Sequence, residues 1–462
     1  MKFLLSLEKM TKIANRLLSV VNEIKGKDSF GSNVFEIIKT LKNSGYQAYV
    51  VGGSVRDKLL GKVPKDIDIA TNATPDEIEG LFDKTLPIGK SFGVIIVVMP
   101  DGEQYEVATF RSDGNYSDNR RPDSVSFEKT PKGDASRRDF TINSMFLDPI
   151  TGDIEDYFGG QDDLKKKIIR TVGDSNTRFE EDKLRMLRSI RFSLTLGFIL
   201  SEEIKESIRE NAHKITSVSQ ERIKEELLKM LKSGSPGEAI LLLEELGLLE
   251  HILPEVSALR GIEQSPDHHP EGDVLTHTVL LMDKVKDKPY QVILAGLFHD
   301  TGKPSTQTIN HEKGKIQFLK HEEESAEIVD KAMRRLKFTN VDREEVVFLV
   351  KNHMIAGRFD ELKLYKKRLL SFSKYFDELM DLAIADQEST GRDASYLREE
   401  AFKIKNMPKE ELLITSKDLK ELGIKPGKIY SRIFDSVWKS QLDGKTNTKE
   451  EALNIAKSMK NI

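Results

Sequence analysis

Asp66 and Asp68 stand two apart in KDIDIAT, a run whose composition predicts a strand, so both carboxylates project from one face. Like charges this close repel unless a cation neutralises them, and paired hard oxygens suit a divalent metal, magnesium above all. Metals held there would lower the pKa of an attacking hydroxyl and stabilise a departing pyrophosphate, the needs of phosphoryl transfer. Just upstream, AYVVGGSVRDKLLG reads as strand, turn and helix. Gly52, Gly53 and Ser54 make the turn, and the helix begins near Val55, where unpaired backbone N–H groups favour a phosphate. A tight turn and a solvated strand edge are the plain alternatives; the succession of turn and acid pair is what points to catalysis. Glu106, in QYEVATFR, lies on another predicted strand and either completes a carboxylate cluster or faces solvent.

Further along, Glu181, Asp182 and Arg185 form EDxxR, with Asp182 and Arg185 at i, i+3 spacing and hence on nearly one helical face. A helix ion pair is the simplest reading of that spacing. Arg188 and Arg191 continue its basic side. A second constellation runs through HTVLLMDKV, AGLFHDTGKP, FLKHEEESAE, VKNHM and LAIADQES. Imidazole with carboxylate suits a transition metal such as Mn, Ni, Fe or Co, and adjacent His299 and Asp300 can bind from one helix turn. Most of the nine histidines fall between His268 and His353, which argues against a random scatter.

These groups need a scaffold, and 462 residues with 38% hydrophobic and 32% charged side chains describe several packed units rather than one domain. There are no cysteines, so disulfides, thiolate metal sites and cysteine nucleophiles are excluded; the cytoplasm is the simplest compartment. The net charge of -4 confines any RNA-binding surface to a local patch. In the N-terminal stretch Glu8, Lys9 and Lys12 interrupt any signal-peptide core, which leaves an amphipathic helix; no apolar run is long enough to span a membrane. AYVVGG, DIDIAT, GVIIVVMP and QYEVATF predict an α+β head with a small mixed sheet. From about Asp174 the strands give way to periodic helical segments, DKLRMLRSIRFSLTLGF and QERIKEELLKMLKSG among them. The expected division is an N-terminal helix (1–30), a head (31–172), a helical neck (173–237), a body or linker (238–270), a histidine-bearing domain (271–395) and a helical tail (396–462).

GGSVRD, DIDIAT, RRDFTINSM and FEEDKLRMLRSIRFSLTLGF together resemble, in order and spacing, the bacterial class II tRNA nucleotidyltransferase and poly(A) polymerase family. The resemblance is specific from about Asn33 to Lys232. It implies a nucleotidyltransferase palm in which Asp66 and Asp68 bind catalytic Mg2+. Gly52, Gly53, Ser54, Arg56, Arg137 and Arg138 would hold the triphosphate, and Asp139 would contact ribose. Glu181, Asp182, Arg185 and Arg188 would present a protein template to CTP or ATP, since Asp accepts from an exocyclic amine and Arg donates to ring nitrogens or carbonyls. The Gly-, Asn- and Asp-rich TFRSDGNYSDNRRPDSVSF, a mobile connector by composition, matches the family's flexible loop and favours addition of CCA, or of its terminal A, to tRNA.

The second constellation resembles the HD phosphohydrolase superfamily. That likeness makes His277, His299, Asp300 and Asp386 ligands of a transition metal such as Mn2+ or Ni2+, with His321 and His353 as further candidates. A metal-bound water would attack phosphate monoesters or 2′,3′-cyclic phosphates. The tail from Ile414 resembles that of HD-bearing members and places Lys425, Lys428 and Arg432 toward a tRNA backbone or on a solvated face. The rival expectations are a poly(A) polymerase and, from another class, an HD phosphohydrolase with a non-catalytic RNA-binding head.

Overall fold

The computed structural model describes residues 30–114, 124–264, 270, 272–310 and 315–460. The helix expected over 1–30 lies outside the described residues except for Phe30, as do 115–123 of the proposed connector. The chain forms two compact units: one reaches Ser233 and includes Leu242–Ile252, and the other comprises Gly234–Leu241 and Leu253–Ile462.

In the first unit α1 (Ser32–Asn43) buries Val34, Phe35, Ile37, Ile38 and Leu41, a helical stripe that packs on the sheet. There follow β1 (Ala48–Val51), α2 (Gly53–Leu59), β2 (Asp68–Thr71), α3 (Pro75–Leu81), β3 (Thr85–Leu86), β4 (Val94–Val98) and β5 (Gln104–Thr109). Thr74 and Glu77 close a capping box at the start of α3. Next come β6 (Arg111–Asp113), β7 (Val125–Phe127), α4 (Pro131–Ser136), β8 (Phe146–Leu147) and β9 (Ile154–Glu155). Seven strands pair in the order β3-β4-β5-β2-β1-β8-β9, and only β2 with β5 is parallel. The register sets Val51 against Asp68 and Ile69 against Val107, so the turn after β1 and the acids of β2 and β5 meet at one sheet end. Val51, Ala70, Phe110, Ala135 and Phe146 pack beneath them, with Phe110 and Phe146 edge to face at 5.9 Å.

The helices beyond Asp174 form as the periodicity requires: α5 (Ser175–Glu181), α6 (Leu184–Leu196), α7 (Glu202–Asn211) and α8 (Gln220–Leu231). Left-handed Gly197 ends α6. Strands do not vanish entirely. β10 (Ile168–Ile169) pairs in parallel with β11 (Ile199–Leu200), and β6 pairs with β7, so the flanks of the Gly- and Asn-rich connector are a ladder rather than loop. Alternating exposure in such short segments is too brief to register against strong helical neighbours.

The second unit is built from α9 (Val274–Lys284), α10 (Tyr290–Phe298), α11 (His321–Arg335), α12 (Asn340–Ala356) and α13 (Phe376–Ser389). A hairpin of β12 (Gln307–Asn310) and β13 (Lys315–Phe318) is the one strand pairing here among the described residues. The tail has its own core, in which Leu419, Ile433, Val437, Ala452 and Ala456 are fully buried. No described helix is long and apolar enough to cross a membrane.

Candidate active site and candidate metal centre

A cleft of about 720 Å³ opens in the first unit over the sheet end where β1 and β2 meet. Gly52 adopts φ 74°, and a Cβ there would sit 3.1 Å from Arg138 Nη1 and 3.8 Å from Asp68 Oδ2. Both the left-handed backbone and the close approach require glycine. The Ser54 hydroxyl is buried and donates to the Asp66 carbonyl at 2.8 Å, so it ties the acid loop to the turn. Asp66 precedes β2 rather than lying in it, which corrects the expectation of two acids on one strand; Asp68 alone opens the strand. The parallel register puts Asp68 beside Glu106. Partial desolvation by the surrounding protein pushes the Asp68 carboxyl up, Arg138 opposes this and Asp66 adds to it, although the side chain stays open to solvent. Glu106 is pushed up by desolvation and then by Asp68 and Asp66. Two carboxylates that line an open cleft, with a third on the neighbouring strand that feels both, have the electrostatics of a cation site.

The arginines are positioned by an acid that sequence reasoning missed. Asp134, almost wholly buried, accepts from Arg137 Nε and Nη2 at 2.9 and 2.7 Å and from Arg138 Nε and Nη2 at 3.2 and 2.9 Å. Burial would raise its carboxyl, but Arg138 and Arg137 outweigh it and hold it below its ordinary value. Its signal was the i+3 and i+4 spacing in DASRRD on α4. Arg137 caps that helix, and the run after it enters a short 3-10 turn (Thr141–Asn143). Arg56 donates to Asn143 Oδ1 at 2.7 Å, and Asn143 Nδ2 donates to Asp139 Oδ1 at 3.2 Å. Asp139 Oδ2 accepts from Arg188 Nε at 3.0 Å and Nη2 at 2.5 Å. Burial would raise Asp139, yet the Arg188 charge and its hydrogen bonds bring it down to about 2.

Asp182 and Arg185 do not share a helical face. Asp182 breaks the chain between α5 and α6 with an extended backbone, and Arg185 pairs with Glu181 instead. Asp182 receives the backbone N–H of Leu184 and both terminal nitrogens of Arg222, another residue not foreseen. Arg56, Arg188 and Arg191 all lie over the Phe192 ring, at 5.2, 5.5 and 4.0 Å.

The second unit brings all six expected donors together. His277 comes from α9, His299 and Asp300 from the end of α10, His321 from the start of α11, His353 from α12 and Asp386 from α13. The four histidines and Asp300 are buried. His277/His299/Asp300 and Asp300/His321/His353 each gather three donor atoms within 4.8 Å, with Asp300 common to both. His299, His321 and His353 direct Nδ1 at the carbonyls of Gly296, Phe318 and Val350, at 2.8, 2.9 and 2.6 Å. Those nitrogens must donate, which leaves Nε2 as the inward lone pair. His321 Nε2 and His353 Nε2 then face each other at 3.2 Å, and the Asp300 carboxylate lies between rings, with Oδ2 3.0 Å from His299 Nε2 and Oδ1 3.2 Å from His321 Nε2. Burial, followed by the His299 charge, lowers His353 to about 3, so it stays neutral. Converging imidazoles whose outer nitrogens are fixed by backbone carbonyls, with a shared carboxylate among them, fit a metal ion. Lys303, also not foreseen, is buried 2.7 Å from Asp300 Oδ2 and donates to Gln264 Oε1 at 2.6 Å. The donors line a chamber of about 200 Å³ that shares Lys303, Phe318, His353 and Asp386 with a larger cleft of about 680 Å³.

Comparison with known proteins follows the same division. Residues 48–170 match the poly A polymerase head domain, 197–259 the probable RNA and SrmB-binding site of polymerase A, and 272–390 the HD domain. The chain is 35% identical to a CCA-adding enzyme of Bacillus pumilus (strain SAFR-032), across 91% of this chain and 95% of that protein. It is 47% identical to a CCA-adding enzyme of Geobacillus thermodenitrificans (strain NG80-2) across 47% of this chain and 53% of the relative. Among solved structures, the Bacillus stearothermophilus CCA-adding enzyme in complex with CTP is similar with a TM-score of 0.67 and 28% identity, over 91% of this chain and 95% of that one. A Thermotoga maritima CCA-adding enzyme complexed with tRNA_CCA, at 21% identity, shares the fold with a TM-score of 0.61 over 94% and 97%.

Proposed function

The chain belongs to the CCA-adding enzyme family, and we propose that its head cleft adds CCA, or the terminal A, to tRNA 3′ ends from CTP and ATP without a nucleic-acid template. The observation that carries this reading is the convergence of Asp66 and Asp68 with the Gly52–Arg138 wall, in a cleft that Asp182 and Arg185 also line, with Glu106 on the strand beside Asp68. Asp66 and Asp68 would hold the metal ions, which we assign as Mg2+; when bound these would supply the charge that lowers the pKa of an attacking hydroxyl and stabilises pyrophosphate. Everything else falls to the chain. Gly52 lets phosphate oxygens approach the backbone, and Arg138 and Arg137, held by Asp134, present planar donors to the triphosphate. Asp139 and Arg188 exchange their mutual pair for ribose and base contacts. Asp182 accepts the exocyclic amine common to cytosine and adenine, and Arg185 donates beside it. This division assigns 31–172 to the head and 173–237 to nucleotide and RNA binding, in a cytoplasmic enzyme.

In the second unit His277, His299, Asp300 and Asp386, with His321 and His353, would hold a transition metal such as Mn2+ or Ni2+ for hydrolysis of phosphate esters, monoesters or 2′,3′-cyclic phosphates. Lys303 is placed to meet the phosphate charge in the adjoining cleft.

The test supplies the purified chain with tRNA ending before the first C, after CC or after CCA, and with each nucleotide alone. CTP incorporation on the first and ATP incorporation on the second is the expected outcome. ATP addition only to the CC end would narrow the activity to terminal A addition. Long ATP-only tails on unstructured RNA would make it a poly(A) polymerase, and hydrolysis without any incorporation would overturn the reading.

A further inference from the structure

We infer that Arg222 is a specificity-positioning residue, which fixes how Asp182 faces the incoming base. This rests on the reading of Asp182 as a base-selecting group. A carboxylate offers about four lone-pair positions, two on each oxygen. Asp182 Oδ1 already receives Leu184 N–H at 3.0 Å and Arg222 Nη1 at 3.2 Å, which fills it. Oδ2 receives Arg222 Nη2 alone, at 2.7 Å, and keeps one position open on the cleft that Asp182 and Arg222 both line. The planar two-point grip therefore selects one oxygen and one direction for the nucleotide.

A single fixed acceptor reads the N4 amine of cytosine and the N6 amine of adenine. It opposes the carbonyl oxygens that uracil and guanine carry at the same place. Without the grip only the Leu184 N–H holds the carboxylate, through Oδ1, and that single bond leaves the direction of Oδ2 unfixed. The helix that supplies Arg222 is itself anchored one turn later. Glu226, buried on α8, accepts from Arg191 Nε at 2.5 Å, and Arg191 covers the Phe192 ring that Arg56 also covers. α8 thus braces the base-reading segment at two points, although it contributes no ligand to the reacting phosphate.

The experiment measures kcat and KM for CTP and UTP on tRNA ending before CCA, and for ATP and GTP on tRNA ending in CC. The full chain, Arg222→Gln, Arg222→Lys and Asp182→Asn are compared. Arg222→Gln is expected to lower the CTP/UTP and ATP/GTP preference about 10-fold or more, the scale of a lost charge-assisted pair. Arg222→Lys, which keeps the charge but not the fork, should recover part of that preference, and it carries the test if the glutamine variant fails to fold. A merely structural arginine would lower all four rates together and leave both ratios intact; that result in a folded Arg222 variant overturns the inference. If Asp182→Asn also leaves the ratios intact, the base-selecting reading of Asp182 falls with it; if only Asp182→Asn collapses them, Arg222 alone is wrongly assigned.

Discussion

In the head cleft the charged groups are paired with one another, whereas in the helical unit imidazoles and carboxylates from five helices converge around one small chamber. Arg137 and Arg138 are held by Asp134, Arg188 by Asp139, and Arg222 by Asp182, around carboxylates that remain open to solvent. The histidine cluster is the reverse: its outer nitrogens are fixed by backbone carbonyls and its inner lone pairs face each other, out of solvent. The first arrangement suits a large anionic ligand that arrives with its own cation and leaves after each turnover. The second suits a resident metal.

Substitutions separate the two designs, beginning with the largest effect. Asp66→Ala should reduce CTP and ATP incorporation on the order of 10³-fold, as loss of transition-state charge stabilisation does, while metal content in the second unit, read by elemental analysis, stays unchanged. Asp300→Ala should do the opposite. It removes the carboxylate common to both donor sets and leaves Lys303 buried without its partner, at a cost of about 3 kcal/mol in unfolding measurements, with incorporation intact. Asp134→Asn should raise KM for either triphosphate about 10-fold, since two arginines lose their fixed directions; an unchanged KM would mean that Arg137 and Arg138 do not touch the nucleotide.

The smallest effect is a pH dependence. Asp139 has a folded value near 2, below its ordinary 3.8, so its pairing with Arg188 stabilises the fold above about pH 4 and is lost as pH falls toward 2. Acid-unfolding curves of Asp139→Asn should lack that part of the decline.

The two sites were unequally legible in the sequence. Gly52, Asp66 and Asp68 announced themselves because a turn and an acid pair are local, and His299 with Asp300 because HD follows an apolar run, whereas His277, His321, His353 and Asp386 came from the resemblance to the HD superfamily. Their supports were not. Arg222 reaches Asp182 across 40 residues and Lys303 reaches Gln264 across 39, and such tertiary pairs leave no periodicity to read. Asp134 was the exception, since its helical spacing to both arginines was visible but looked like any surface ion pair. The break at Asp182 was hidden for a related reason: the segment around it has helical composition, but the carboxylate caps Leu184 and so ends one helix to begin another. Fold class followed from strand and helix periodicity, and it was the short ladders β6–β7, β10–β11 and β12–β13 that periodicity passed over.

The contrast between an exchangeable and a resident metal is tested most directly by stripping the chain with a strong chelator, dialysing, and restoring Mg2+ alone. CTP and ATP incorporation on tRNA should return in full while elemental analysis finds the histidine cluster still without transition metal. Incorporation that returns only when Mn2+ or Ni2+ reoccupies that cluster would contradict it.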